Sequence, residues 1–264
     1  MNPKRNLWYT FDSIRCINLR TRPDRLEQAS SVFDKLGIPI EWFVTDKHPN
    51  GGIQGCFESH ISCIRESYLR GDSMCLIFED DVIDTNFASD EKLLGLAIDF
   101  METNLEWDLF YFGTCPDIKY SKFEPAKPRK FASSIFKMHT LCTHAYVVSR
   151  KFMRKIYDLK FIGVPIDYLY MSGPVSYGIY PSLFAQRASK SDISGDLWNL
   201  IPMKDSYFRI VELYAKHVNI PLIRVLLVLG FGFFLLLIVF VLPLRYRKAG
   251  LIVVGVVMVG LLVL

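Results

Sequence analysis

From residue 13 onward, short apolar runs alternate with stretches of helical period. Ser13–Leu19 (SIRCINL) predicts a strand, and Pro23 at the first turn of the next segment predicts a helix over Pro23–Leu36 that stops at Gly37. Ile40–Val44 predicts a second strand, and Asp46–Gly55, with Asn50-Gly51-Gly52, predicts a loop. A helix over Cys56–Leu69 ends at Arg70-Gly71-Asp72, and a strand over Met74–Phe78 runs into Glu79-Asp80-Asp81. Next come a helix over Ser89–Thr103, a strand over Trp107–Phe112 and a Lys- and Pro-rich surface loop over 113–133. A strand over Leu141–Val148 follows, and Ser149 caps a helix reaching Asp158. This alternation predicts one α/β domain with a largely parallel sheet.

The pattern changes after residue 220. Between Arg224 and Arg245 lie 20 uncharged residues, about 30 Å of helix, which is the thickness of a bilayer core. After Arg245-Tyr246-Arg247-Lys248 come 16 more, about 24 Å at the same rise. The expected organisation is a catalytic domain over 1–219, a transmembrane helix over 221–244 and a second short hydrophobic segment over 249–264. Basic residues flank the first span on both sides, so charge does not orient it. Without an apolar stretch of signal-peptide type near the N-terminus, the domain is expected to face the cytosol from a membrane tether.

The chain carries 31 Lys+Arg against 27 Asp+Glu, a formal charge of +4. Glu212 is the last acid, and Arg224, Arg245, Arg247 and Lys248 account for the whole excess, leaving the body neutral. That balance argues against a nucleic-acid partner, which calls for a basic patch or stripe. The six cysteines form no CxxC pair, and most lie in apolar runs where a free thiol behaves as a small hydrophobe, favouring a reducing compartment.

In α/β sheets, ligands gather beyond the carboxyl ends of the strands. Here those ends carry Asn18 and Arg20, Asp46, Glu79-Asp80-Asp81, and Gly113. Three consecutive acids after an apolar strand repel one another, and a cation offsets that repulsion. All-oxygen ligands suit Mg²⁺ or Mn²⁺ with a substrate's phosphates. The competing reading is that these acids only start a loop or cap a helix. Neither GxxxxGK[ST] nor another Gly-rich phosphate loop is present, which weighs against a phosphotransferase.

The ordered set IRCINLRTRPDR, GCFESH, CLIFEDDV, WDLFYFGT, THAYVVSRKF, PIDYLY and YPSLFAQ resembles family-25 glycosyltransferases over residues 13–195. This family includes bacterial lipooligosaccharide galactosyltransferases and procollagen galactosyltransferases. The resemblance implies a GT-A type, Rossmann-like fold, a UDP-sugar donor (often UDP-galactose), Mn²⁺ or Mg²⁺, and inverting transfer to a hydroxyl of a glycan, glycolipid or glycoprotein. It places Glu79, Asp80 and Asp81 at the family's acidic motif. Asp81 is then the main metal ligand, with Glu79 two residues back on an extended segment. Asn18, Arg22 and Arg25 fall in the N-terminal signature and are expected at the nucleotide with Asp46, although Asp24 and Arg25 alternatively pair and cap a helix. Gly55 allows close backbone approach. His60 lies near the donor or, equally, is a core histidine.

Asp167, in the family's Pro-x-Asp segment, is the expected catalytic base, with contact to sugar hydroxyls as the competing role. Asp108 is a second candidate for which a structural role is favoured. His144 and Gln186 match family segments and are candidates near the metal or diphosphate. The chain departs from the family at Phe57-Glu58 and in its hydrophobic tail. The alternative function is a non-catalytic nucleotide-sugar or glycan-binding membrane adaptor.

Overall fold

The computed structural model describes residues 6–114, 124–140 and 142–187. The chain divides into two units, Met1–Val218 and Asn219–Leu264, and every described residue lies in the first. The two predicted spans, 221–244 and 249–264, fall outside the described residues. Among the described residues no helix is long and apolar enough to cross a membrane.

The first strand, β1 (Ser13–Leu19), leads into α1 (Pro23–Leu36), which has Pro at its first turn and ends on Gly37 at φ 65°, a left-handed cap that favours glycine. Then follow β2 (Glu41–Thr45), α2 (Gly52–Arg70), β3 (Met74–Glu79) and β4 (Val82–Asp84). Asp90 caps α3 (Glu91–Thr103) by accepting from the Lys92 and Leu93 amides. The chain continues through β5 (Leu109–Tyr111), β6 (Glu124–Pro125), β7 (Ile135–Lys137) and β8 (Ala145–Ser149). It finishes with α4 (Arg150–Ile156), α5 (Ile166–Ser172), β9 (Ser176–Ile179) and β10 (Phe184–Gln186). As expected, the Ser149 hydroxyl caps α4.

The main sheet has the order β2-β1-β3-β8-β5-β9-β7-β6, and β10 and β4 form a separate pair. It is mixed, which corrects the largely parallel sheet expected. β1 runs parallel to β2 and β3, and β5 to β9, but β8 is antiparallel to both β3 and β5. The hairpin β6–β7 closes the far edge antiparallel to β9. Strand alternation alone could not reveal this, because both faces of β3 and β8 are buried and a fully buried strand reads the same in either direction. The helix α2 also starts earlier than expected, so Gly52 to Gly55 belong to it rather than to the loop.

Two apolar layers sandwich the sheet. Leu76 and Phe78 of β3 face one cluster with Phe33, Phe100, Phe110 and Phe184. Cys75 and Ile77, alternating with them along the strand, face the other with Phe57, Ile64, Tyr146 and Tyr170. Helices therefore cover both faces, a three-layer α/β/α arrangement. Cys16, Cys56, Cys63 and Cys75 are free thiols, as expected, but Cys142 is disulfide-bonded.

Candidate functional site

The parallel strands β1 and β3 end side by side. β8 enters the sheet antiparallel beside them, so the residues just before it arrive at that same edge. Asn18, the Glu79-Asp80-Asp81 segment, Thr143 and His144 therefore converge from three strands. Asp80 and Asp81 form the turn between β3 and β4, not the extended segment expected, and the three acids divide among different partners.

Asp80 is neutralised by the protein itself. Asn18 Nδ2 donates to its Oδ2 at 2.8 Å and Arg25 Nη1 to its Oδ1 at 2.9 Å. Both cation and acid are nearly enclosed, at 10% and 8% side-chain exposure. Burial raises the Asp80 carboxyl, and Arg25 and Asn18 oppose that shift. The alternative in which Arg25 merely pairs with Asp24 is excluded: Asp24 pairs with Arg22 at 3.0 Å, while Arg25 turns inward.

Asp81 is only half satisfied. Its Oδ2 accepts from Gln186 Nε2 at 3.2 Å and sits 3.5 Å from Arg25, while its Oδ1 is buried with no partner among the described residues. Gln186 reaches it because β10 pairs antiparallel with β4, and the Arg187 amide also donates to the Asp81 carbonyl at 2.7 Å. Burial, then the neighbouring Glu79 charge, pushes Asp81 up to about 7.

Glu79 belongs to a second cluster. Thr143 Oγ1 donates to its Oε1 at 2.6 Å, and His60 Nε2 lies 3.4 Å from the same oxygen. The other ring nitrogen of His60 is 2.8 Å from Tyr146 OH, itself 3.5 Å from Tyr170 OH. Burial works to raise Glu79, but His60 and Thr143 outweigh it and hold the carboxylate low. His60 is a core histidine by burial, and its ring also lies against Glu79 of the acidic segment. His144 gives its carbonyl to the Glu79 amide, and its ring packs on Gly113 so closely that a Cβ there would lie 2.1 Å from Nε2. Burial lowers His144 to about 4, so it is neutral.

Asp167, in the first turn of α5, is half-buried and accepts from the Tyr168 amide at 3.0 Å. Burial raises it, and the charge of Glu79 adds to that shift while His60 opposes it. Asp108 is structural, as favoured: it accepts from the Val175 amide at 2.9 Å and faces Lys151 and Lys155. Asp46 is exposed and pairs with Arg20 at 3.1 Å, apart from the acids. The Arg22 side chain turns to Asp24, and its carbonyl accepts from Asn18. Gly55 approaches the His48 side chain, where an added Cβ would come within 2.9 Å. Thr143, Tyr146 and Arg187 escaped the sequence reading. Each adjoins or lies within a quoted segment, but their partners are remote in sequence.

Among the described residues, no three His, Cys, Asp or Glu side chains are gathered for a metal ion. The fit to a Mg²⁺ or Mn²⁺ ion therefore rests on the unpartnered Asp81 oxygen. Such ions are held by one or two carboxylates, with substrate phosphates and water completing the shell, so one free buried oxygen suits them.

The raised Asp81 carboxyl makes a pH prediction. A folded state that holds a proton the unfolded chain releases loses stability as pH rises from the ordinary value, near 4, to about 7. His144, lowered by burial, has the opposite slope in much of that window, so the wild-type curve mixes the two. The difference between Asp81→Asn and wild type isolates Asp81. The variant's advantage is expected to grow across that range and level off above it, reaching a few kcal/mol at about 1.4 kcal/mol per unit. Urea melts across a pH series measure it, and a difference that does not change with pH removes the assignment.

Residues 47–170 match the model of the family described as glycosyltransferase family 25 (LPS biosynthesis protein). This match bears out the family-25 resemblance drawn from the motifs. The matched stretch holds the acidic turn, His60 and Asp167, while Asn18, Arg25 and Gln186 lie outside it.

Over 139 residues the chain is 31% identical to the probable inactive glycosyltransferase 25 family member 3 of Bos taurus, covering 42% of this chain and 23% of that one. Over 131 residues it is 31% identical to the human inactive glycosyltransferase 25 family member 3, covering 39% and 22%. It thus spans about a quarter of the length of the curated relatives it matches. A putative glucose-1-phosphate thymidylyltransferase from Bacillus anthracis superposes at TM-score 0.41, with 13% identity and 81% of each chain covered. A mutant Drosophila β1,4-galactosyltransferase 7 in complex with manganese, UDP-Gal and xylobiose does so at 0.33, with 12% identity and 71% and 74% covered.

Proposed function

We propose that this chain is a membrane-tethered, metal-dependent inverting glycosyltransferase. It moves a hexose, galactose first among candidates, from a UDP-sugar to a hydroxyl of a glycan, glycolipid or glycoprotein, on a GT-A type fold. The carrying observation is the Glu79–Asp81 segment at the strand ends. One acid there is clamped by Arg25, and the next keeps a buried oxygen without a partner among the described residues; a half-buried Asp167 opens α5.

In this reading Asp81 would hold the divalent ion, while Glu79, engaged by Thr143 and His60, would bear on it through its charge. The ion, when bound, neutralises charge on the departing diphosphate. Asn18 and Arg25 fix the turn by holding Asp80, so the Asp81 carboxylate is positioned before the donor arrives. Asp167 accepts the proton of the acceptor hydroxyl as that oxygen bonds to the anomeric carbon. The bond from that carbon to the diphosphate breaks, and its electron pair leaves with UDP. A carboxyl raised by burial suits this step, because catalysis is best when the base titrates near the working pH.

The tether is proposed from 221–244 and 249–264, which would concentrate the enzyme at a surface carrying its acceptor. Of the two membrane faces, the Cys142 disulfide favours an oxidising compartment over the cytosol.

A second reading has one observation in its favour: two curated relatives are named inactive. On that reading the chain binds nucleotide-sugar or glycan without turnover. The full chain in detergent, given a panel of UDP-sugars with Mn²⁺ or with chelator, separates the two. Enzymatic function is expected to appear as UDP release from one sugar, abolished by chelator. Metal-dependent UDP binding with no release from any sugar, acceptor glycans included, favours the adaptor. No UDP binding removes the transferase reading and leaves only a glycan-binding adaptor.

A further inference from the structure

The cations near the acidic turn are nearly all committed. Arg25 is held by Asp80 and Asp81, Arg20 by Asp46 and Arg22 by Asp24. Arg187 is the exception. Its backbone amide donates to the Asp81 carbonyl at 2.7 Å, which roots the residue on the turn itself. Its side chain is half-buried, its Nε is buried without a hydrogen-bond partner, and no carboxylate pairs with it among the described residues. A buried charged donor left unmatched is costly, so its persistence calls for a partner that arrives from outside.

The neighbouring Asp81 presents the complement, a buried oxygen with no donor among the described residues. An unmatched cationic donor and an unmatched anionic acceptor, one backbone hydrogen bond apart, do not pair with each other in this structure. A single ligand that brings both a cation and an anion satisfies both. A nucleoside diphosphate carrying a divalent ion has that composition. The planar guanidinium forms parallel N–H bonds to phosphate oxygens, which an ammonium does not reproduce.

We propose that Arg187 binds the diphosphate of the donor beside Asp81. This rests on the donor-site reading above. It adds a phosphate-binding residue that lies outside the matched family segment and just beyond YPSLFAQ.

The test is calorimetric binding of UDP, UMP and uridine to the full chain, with Mn²⁺ and with chelator, for wild type, Arg187→Gln and Arg187→Lys. The expected result for Arg187→Gln is UDP affinity weakened roughly tenfold or more, the size of a charge-assisted contact, with uridine unchanged. Arg187→Lys keeps the charge without the fork and is expected to fall between. The weakening persists with chelator, which separates Arg187 from the metal. Equal loss for uridine and UDP, or no loss for UDP, overturns the assignment while leaving the donor site standing. Failure of the wild type to bind UDP at all overturns the donor site and this residue's role together.

Discussion

Asp167→Asn is expected to lower sugar transfer by about two to four orders of magnitude, the usual contribution of a positioned general base, while UDP binds as before. The amide keeps an oxygen for the Tyr168 amide, so the first turn of α5 is preserved. Binding is expected to be spared because Asp167 is not among the proposed diphosphate contacts, Arg187 and the ion on Asp81. Removing one negative charge near Glu79 also relieves repulsion. The wild-type rate is expected to fall as pH drops through the raised Asp167 carboxyl, since only the ionised form accepts a proton. That limb disappears from whatever rate the variant retains. A large loss of UDP affinity would move Asp167 into the donor site, and an unchanged turnover would end its candidacy as base.

The second large effect is on stability. Arg25→Met is expected to destabilise the domain by about 3–5 kcal/mol, the cost of removing one partner from a buried ion pair. Arg25 holds Asp80 at 2.9 Å and lies 3.5 Å from Asp81, so its loss leaves two buried carboxylates facing each other with only amide donors. Both carboxyls are raised by burial and opposed by Arg25, so without it they move further up and the domain weakens most at neutral and higher pH. Adding Asp80→Asn to the Arg25 variant is expected to recover much of the loss, because it removes the stranded charge. Urea denaturation of the two singles and the double measures the cycle. A loss below about 1 kcal/mol for Arg25→Met would mean the pair behaves like an exposed one, and the clamp would have to be abandoned.

Local chemistry made several elements legible in advance. The observed bounds of β1 and α1 equal those expected, because a Pro at the first turn and a Gly at the left-handed cap act within a few residues of themselves. Ser149 was read as a cap for the same reason. The strand direction of β8, the hairpin β6–β7 and the pairing of β10 with β4 were not legible, since each depends on partners tens of residues away. The β3 segment IFEDD shows the same limit at the site. Its three consecutive acids invite one shared role, yet the fold gives Glu79 to His60 and Thr143, Asp80 to Arg25 and Asn18, and Asp81 to Gln186.

The sequence by itself therefore determined the alternating α/β elements, the neutral body with its hydrophobic tail, and which acids stand at strand ends. Periodicity, caps and charge counts are properties of neighbouring residues. The tertiary structure decided which of those acids are already neutralised, that Thr143, Tyr146 and Arg187 join them, and that one oxygen of Asp81 has no partner among the described residues. Those are matters of burial and of pairing across the sheet. Whether a carboxylate is satisfied depends on the charges brought to it from other strands and helices, not on its neighbours in the chain.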